Sequence, residues 1–340
     1  MPTAFVTGAT GFIGGHLAAA LVARGWRVKA LVRPTSRTTT IAATGAELFT
    51  AALDDAQALA PHLENVDCVF HVAGAIAALN EAEFQRVNAA GAAALAAACA
   101  AQSRPPTFIF VSSVAAAGPI ARGRVRAESD AASPISAYGR SKFAAEQALR
   151  DFAGDLPITV VRPGVVFGPG DRSTLSIFSG IAYSGLHVYP RFRTPPLSVI
   201  YVDDLVEILL AAADQGERLA PASANGDALP GQGVYFATRD EFPTYHEFGW
   251  LAAQALGRRW FVPLPLAPPI PFLVGGLSQL AGQVRGKASI VNLDKMREAT
   301  VTSWACSPAK VQQKFRLVPR DSLLEQMRQT VVWYRTNRWI

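Results

Sequence analysis

Apolar residues recur along this chain in two alternating periods. Short apolar runs at 4–6, 27–32, 47–51, 67–72, 108–111 and 158–161 read as strands, with helical spacing or strong helix formers between them. The first helix carries Ile13, Leu17, Leu21 and Val22 on one face. Further helices are predicted after a cap at Asp54 or Asp55, over the Ala-rich 83–102, and over 136–152, where Gly154 stops the run. Strands alternating with helices over the first 160 or so residues imply an α/β fold, a doubly wound parallel sheet covered on both faces. The pattern breaks at Gly168. Gly and Pro are frequent to residue 196, a strand is predicted at 197–202, and Asp203 or Asp204 is expected to cap a helix over 205–213. Residues 214–233 read as exposed loop, and the chain from 242 mixes helix with proline-rich turn before an amphipathic helix at 322–335. The organisation expected is one unit at 1–170, to which 197–235 returns, and a second, smaller region made of 171–196 and 236–340.

Composition narrows the class. Of 340 residues, 50% are hydrophobic and 17% charged, so the chain is globular with ample core. The net charge of +6 is spread over scattered, mostly Arg residues. It suits an anionic cofactor or substrate, or simply a basic surface. No basic cluster is interleaved with aromatics, so nucleic acid is not an expected partner. Cys68, Cys99 and Cys306 fit neither a metal site nor a disulfide framework, which points to a reducing, cytoplasmic setting. A strand beginning within three residues of Met1 leaves no room for a leader. The uncharged run 261–284 is interrupted by Pro263, Pro265, Pro268, Pro269 and Pro271, so no integral membrane segment is expected. It reads as part of the second region, with peripheral membrane contact as the alternative.

Candidate chemistry begins between the first strand and the first helix. Gly8, Gly11 and Gly14 stand at a spacing of three, G-x-x-G-x-x-G, where a sharp turn brings backbone and free helix N–H groups against a pyrophosphate. At the tip of the second strand an NAD site usually carries a carboxylate for the ribose; here the tip is Leu31-Val32-Arg33. Arg33, with Arg37 near it, suits a 2′-phosphate, so NADP is expected over NAD. Tyr138 and Lys142 lie four apart on one helix face. An ammonium beside a phenol, together with an oxidised nicotinamide, stabilises the phenolate, so that Tyr138 exchanges a proton with an alcohol or ketone. Ser113, at the carboxyl end of the fifth strand, is placed to hold the substrate oxygen.

Several runs resemble those of the extended short-chain dehydrogenases/reductases, the NAD-dependent epimerase/dehydratase superfamily. They are Thr7 to Gly14, Val69 to Ala73, Val87-Asn88 with Gly91, Val111 to Ser113, Tyr138-x-x-x-Lys142, Arg162 to Asp171 and Tyr201 to Leu205, in family order over about residues 1–210. The resemblance implies a Rossmann sheet with a C-terminal substrate-binding domain. It implies that Gly8, Gly11 and Gly14 shape the pyrophosphate site, with Phe12 and Ile13 presenting backbone. Ala73 would also bind the cofactor, and Pro163 and Val166 would lie against the nicotinamide. Ser113, Tyr138 and Lys142 would be the catalytic set, with Ser112 as the alternative serine and Lys142 also on the nicotinamide ribose. Asn88 falls where the family has an active-site or structural asparagine. A homodimer through 83–102 and 136–152 is typical of such proteins.

The departures bear on specificity. Ala52 stands where many members place an acidic adenine contact, leaving backbone, Leu53 or Asp54 to hold the adenine. Ser113-Val114-Ala115-Ala116 lacks the Asp-Glu pair of the sugar-nucleotide dehydratases. Pro196 to Leu205 is closest in style to the dihydroflavonol-reductase and 3β-hydroxysteroid-dehydrogenase branch. The function expected is therefore NADP-dependent interconversion of a ketone and a secondary alcohol on a fairly apolar small molecule. A nucleotide-sugar epimerase using the same residues and a non-catalytic cofactor-binding scaffold are the alternatives. Arg172, Arg191 and Arg193 would meet an anionic substrate group or remain surface charge.

Overall fold

The computed structural model describes residues 1–190, 193–222, 229–267, 269–289 and 291–340. Its strands are β1 (Thr3–Thr7), β2 (Arg27–Val32), β3 (Glu47–Thr50), β4 (Cys68–His71), β5 (Thr107–Val111), β6 (Ile158–Pro163), β7 (Val165–Phe167), β8 (Leu186–Pro190), β9 (Val199–Tyr201), β10 (Val234–Ala237) and β11 (Val262–Leu266). Seven of them form one parallel sheet in the order β10-β6-β5-β4-β1-β2-β3. The sheet is doubly wound: the order reverses between β1 and β4, and that reversal opens a crevice at the strands' carboxyl ends.

Alternation along each strand divides the core into two layers. Ala4 and Val6 of β1, Phe70 of β4 and Ile109 of β5 face the helices Phe12–Ala23 and Val202–Gln215. Phe5, Val69, Phe108 and Phe110 face Gly91–Ala100 and Ala137–Arg150. Both sides of the strands are therefore apolar, which is why they read in the sequence as continuous runs. A third cluster, with Phe167, Phe178, Phe236, Phe248, Trp304, Met327 and Tyr334, joins the C-terminal helices to the sheet's end.

The structure departs from the sequence reading at several places. The strand expected at 197–202 is β9, and it pairs with β7 in a separate two-stranded sheet. The seventh strand of the main sheet is instead β10, a four-residue run too short to show a period. Within the expected loop at 214–233, Leu219 and Ala220 are buried, and residues 223–228 lie outside the described chain. Asp55 caps its helix, accepting from Ala58 N–H at 3.0 Å. Neither Asp203 nor Asp204 is a cap; both sit in the first turn of Val202–Gln215, where their charge meets the positive end of the helix. The proline-rich run does contain a helix, Pro269–Val284. Pro269 and Pro271 occupy its first turn, where a missing N–H breaks no bond. No described helix is long and apolar enough to cross a membrane.

The C-terminal helix Leu323–Thr336 is tied to the loop after β7. Tyr334 donates its phenol to the Asp171 carbonyl at 2.6 Å, while the Asp171 carboxylate accepts from Ser173 and Thr174 N–H at 2.7 and 2.9 Å. Tyr334→Phe keeps the ring but leaves that buried carbonyl without its donor. It should lower the free energy of unfolding by about 1–3 kcal/mol, read as a fall in the urea midpoint at unchanged m-value.

Candidate active site

The glycine turn is built by close approach of three backbone segments. Gly8 has φ of +74°, and a Cβ there would lie 2.7 Å from the Ala73 nitrogen. A Cβ on Gly14 would overlap the Gly8 carbonyl oxygen. Gly11 N–H closes the turn on Gly8 O at 2.9 Å, and the helix begins at Phe12 with no side chain capping it. The first-turn N–H groups of Phe12, Ile13 and Gly14 are thus open to an anion. Thr7 fastens the turn to β4. Its hydroxyl accepts from Ala73 N–H at 3.1 Å and shares a hydrogen bond with His71 Nδ1 at 2.7 Å. The other ring nitrogen of His71, Nε2, is buried with no hydrogen-bond partner among the described residues. Burial, with the charge of Lys142 adding to it, pulls its pKa down to about 3.

His16, one turn into the same helix, meets two acceptors: the Asp203 carboxylate at 3.0 Å and the Pro169 carbonyl at 2.8 Å. Both ring nitrogens must donate, so the imidazolium is the form that fits. Burial lowers its pKa, but the Asp203 and Pro169 bonds outweigh burial and leave it raised.

Ser113, Tyr138 and Lys142 converge at the end of β5. Ser113 caps the short helix Val114–Ala117, accepting from Ala115 N–H at 3.1 Å, and its side chain lies beside the Tyr138 phenol. Burial pushes that phenol up to about 12; the Ser113 side chain opposes the shift and the Glu298 charge adds to it. The residues present thus keep Tyr138 neutral, and the lowering expected from Lys142 is not seen in the chain by itself. Lys142 is buried at 4% exposure, donates to Val111 O at 2.8 Å, and is pulled down to about 8 by burial against the charge of Glu146.

Ser112 faces the other way. Its hydroxyl donates to Glu146, which also receives Arg162 through both carboxylate oxygens in a buried pair. Ser112 is thereby committed to the network that binds the Tyr138 helix to β6, and Ser113 alone of the two meets the phenol. Asn88 lies in a π-helical turn, Gln85–Ala90, a form that recurs at functional sites. It grips Ala75 through N–H and carbonyl at 2.7 and 3.1 Å and donates to Ser141 Oγ at 2.8 Å. A Cβ on Gly74 would sit 3.1 Å from both Asn88 Oδ1 and Lys142 Nζ, so the crevice narrows here to backbone.

The remaining candidates spread around the crevice. Arg33 is exposed at the tip of β2, and no described residue pairs with its guanidinium. Leu53 packs under Gly91, where a Cβ would meet it at 3.0 Å. Asp54 is exposed and paired with Arg86 at 3.3 Å. Pro163 ends β6 and is buried; Val166, in β7, is half-buried. Arg172 lies 4.8 Å over the Trp339 ring, Arg193 is exposed, and Arg191 lies outside the described residues. Sequence reasoning missed the helix Leu293–Ala299. It docks on the Tyr138 helix, with Ser136 donating to Glu298, Ala137 N–H to Asp294 at 2.8 Å, and Lys295 Nζ 5.3 Å over the Tyr138 ring. No motif marks these residues, because they meet the site only through the fold.

This arrangement fits a dinucleotide: a turn with no space for side chains, open helix N–H groups, a free arginine at the β2 tip and a buried lysine beside Gly74. His71 supplies a test of the scaffold beneath it. Its folded pKa lies below its ordinary value of 6.5, so between about 6.5 and 3 the unfolded chain binds the extra proton and stability falls as pH falls. The urea midpoint should drop from pH 7 to pH 5, and His71→Leu, weaker at pH 7, should show a smaller drop.

Three comparisons bear on this geometry. The model of the NAD dependent epimerase/dehydratase family matches residues 4–224. The chain is 32% identical to a ceramide reductase of Caulobacter vibrioides, over 98% of this chain and 95% of that protein. It is 31% identical to a 4-hydroxy-2-methyl-3-oxo-4-farnesyl-3,4-dihydroquinoline-1-oxide ketoreductase of Stigmatella aurantiaca, over 69% and 67%. Its fold is similar to that of a UDP-glucose 4-epimerase of Thermotoga maritima, with a TM-score of 0.76 over 99% of each chain at 21% identity. The matched segment holds the glycine turn, Ser113, Tyr138 and Lys142 together, and on that ground the chain belongs to the NAD-dependent epimerase/dehydratase family of enzymes.

Proposed function

We propose that the protein is an NADP-dependent oxidoreductase interconverting a ketone and a secondary alcohol on a fairly apolar small molecule. The observation that carries this reading is the convergence of the Ser113 side chain and the Tyr138 phenol at the end of β5, with buried Lys142 one turn along the same helix. The turn from Gly8 to Gly14 with Ala73, Pro163 and Val166 would hold the cofactor, with Lys142 on its ribose, and the bound cofactor would supply the hydride. Every proton step belongs to the chain. A phenol with a pKa near 12 is fully protonated at neutral pH, so Tyr138 is in the form that donates to a carbonyl oxygen. Ser113 orients that oxygen. The phenolate left behind would face Ser113, and Lys142, one turn along the same helix, keeps its charge below about pH 8.

Arg33, exposed and unpaired among the described residues, favours the 2′-phosphate of NADP. Two relatives named as reductases, of a ceramide and of a farnesylated ketone, support net reduction of apolar substrates. The likeness to the epimerase, at 21% identity, supports only the fold. Residues 171–196 and 236–340 would supply the substrate side, with Leu293–Ala299 already seated on Tyr138. A homodimer through the Gly91–Ala100 and Ala137–Arg150 helices is part of the same reading. So is a reducing compartment, in which the three buried cysteines stay free.

Tyr138→Phe should lower kcat for ketone reduction about 10²-fold or more while NADPH binding stays near wild type. A variant of unaltered rate, followed by NADPH absorbance, would sink the mechanism. Arg33→Asp should weaken NADPH about tenfold or more, the worth of a charged hydrogen bond, and leave NADH nearly unchanged. Fluorescence titration of both nucleotides separates the two effects; equal losses would remove Arg33 from the phosphate site. Tightly held cofactor with no net NADPH consumption on any ketone would favour the epimerase instead.

A further inference from the structure

The helix Pro269–Val284 is amphipathic in the wrong sense for a surface helix of a globular protein, whose apolar stripe normally faces the core. Its inward side is small and polar. Ser278 shares a hydrogen bond with Ser289 at 2.8 Å, and Gln279 accepts from Leu293 N–H at 3.3 Å. Cβ atoms on Gly275 and Gly282 would lie 2.9 Å from Met296 Cγ and 2.7 Å from Lys287 O, so the helix rests directly on the 287–296 segment. Its outward side is Ile270, Leu273, Val274, Leu277, Leu280 and Val284. Leu273, Leu277, Leu280 and Val284 are 63%, 59%, 58% and 81% exposed. The residues recur at i, i+3, i+4, i+7 and beyond, a continuous stripe turned to solvent. The strand two residues before the helix continues the theme. β11 pairs with β8 so that Val262 meets Leu186 and Leu264 meets Val188, and all four are exposed.

Along the stretch of sequence that carries this stripe the charges are of one sign. From 248 to 293 the sequence has no Asp or Glu, but it has Arg258, Arg259, Arg285 and Lys287. None of the four is in an ion pair among the described residues. Trp260, half-exposed, stands beside the first pair. An apolar stripe followed by unpaired Arg285 and Lys287, with Arg258, Arg259 and Trp260 before the exposed strand β11, matches a bilayer interface, where acyl chains take the stripe and anionic headgroups take the cations. A second copy of the chain matches less well, because a two-fold contact through this stripe would bring like cations together. The length agrees with lying on a membrane: 16 residues span about 24 Å, short of the ~30 Å hydrocarbon core.

We infer that the outward face of Pro269–Val284 docks the protein onto an anionic lipid surface. Gln279 and Gly282, on the helix's inner side, line a cavity of about 270 Å³ that also takes in Phe84 and Ala137, the neighbours of Tyr138, and the charged side chains of Glu81, Arg140 and Asp294. The docked helix therefore stands between the bilayer and the active-site helix. If the oxidoreductase reading above holds, the ketone is one carried in the bilayer, and this is the side from which it enters.

The test is flotation of the full-length protein, with NADP present, on vesicles of phosphatidylcholine alone or doped with phosphatidylglycerol. Wild type should float with the doped vesicles and on the order of tenfold less with phosphatidylcholine alone. Leu273→Glu/Leu277→Glu should lose flotation on both. Arg285→Gln/Lys287→Gln should lose only the gain from phosphatidylglycerol. All these positions are exposed, and circular dichroism and turnover of a water-soluble ketone should match wild type in both variants. Wild type that stays with neither vesicle overturns the inference, as does a dimer that the Leu273→Glu/Leu277→Glu chain converts to monomer in sedimentation velocity. Reduction of the soluble ketone without flotation removes the docking face and leaves the oxidoreductase. Flotation without reduction of any ketone does the reverse.

Discussion

Three backbone segments meet at Gly8 with no space between them for a side chain. The turn itself, the start of the first helix at Gly14 and the chain just after β4 at Ala73 approach so closely that a Cβ on either glycine would strike main chain. Backbone cannot yield as a side chain can, so this contact sets the position of the helix relative to β1 and β4. It also fixes where the open N–H groups point. Thr7 and His71 lock the same junction from beneath with a hydrogen bond buried among Phe108 and Phe110. The crevice that receives a cofactor is thus a consequence of how tightly the sheet's switch point is packed.

A second set of constraints holds the helix that carries Tyr138 and Lys142. The Ala137–Arg150 helix carries Glu146 inward, and that carboxylate meets Ser112 of the β5 end and Arg162 of β6. A charge buried this deeply is tolerated only because each partner is satisfied. The same helix presents Ser141 to Asn88 and Lys142 to the Val111 carbonyl. Tyr138 is therefore aimed by groups one to two turns along its own helix. The network is polar, directional and buried, which suits the precision that proton transfer needs better than apolar packing alone would.

The C-terminal region works by different physics. It joins the sheet through an aromatic cluster and a few long-range hydrogen bonds, such as Tyr334 to Asp171, and it lays Leu293–Ala299 over Tyr138. Its outermost helix turns its polar side inward and its apolar side out. Burial of apolar surface within this chain does not account for that helix, so its stability draws on its hydrogen bonds to the 287–296 segment.

The parallel sheet, the glycine turn and the pairing of Tyr138 with Lys142 were legible in the amino-acid sequence because each is local. Strands covered on both faces leave continuous apolar runs, a tight turn leaves glycines, and two residues four apart on a helix share a face whatever surrounds them. Spacing favours Ser113 over Ser112 but does not show what Ser112 does instead; its bond to Glu146, more than thirty residues away in the chain, appears only in the fold. The π-turn at Asn88 is hidden in a stretch that looks like uniform helix, and β10 is four residues with no period to read. Glu298 and Lys295 reach Tyr138 from over 150 residues away. What the sequence determined by itself was the set of chemical groups and the local shapes that carry them. Only the tertiary structure decided which groups meet, which are buried and which way the last apolar helix faces, because those depend on contacts between segments that no local period encodes.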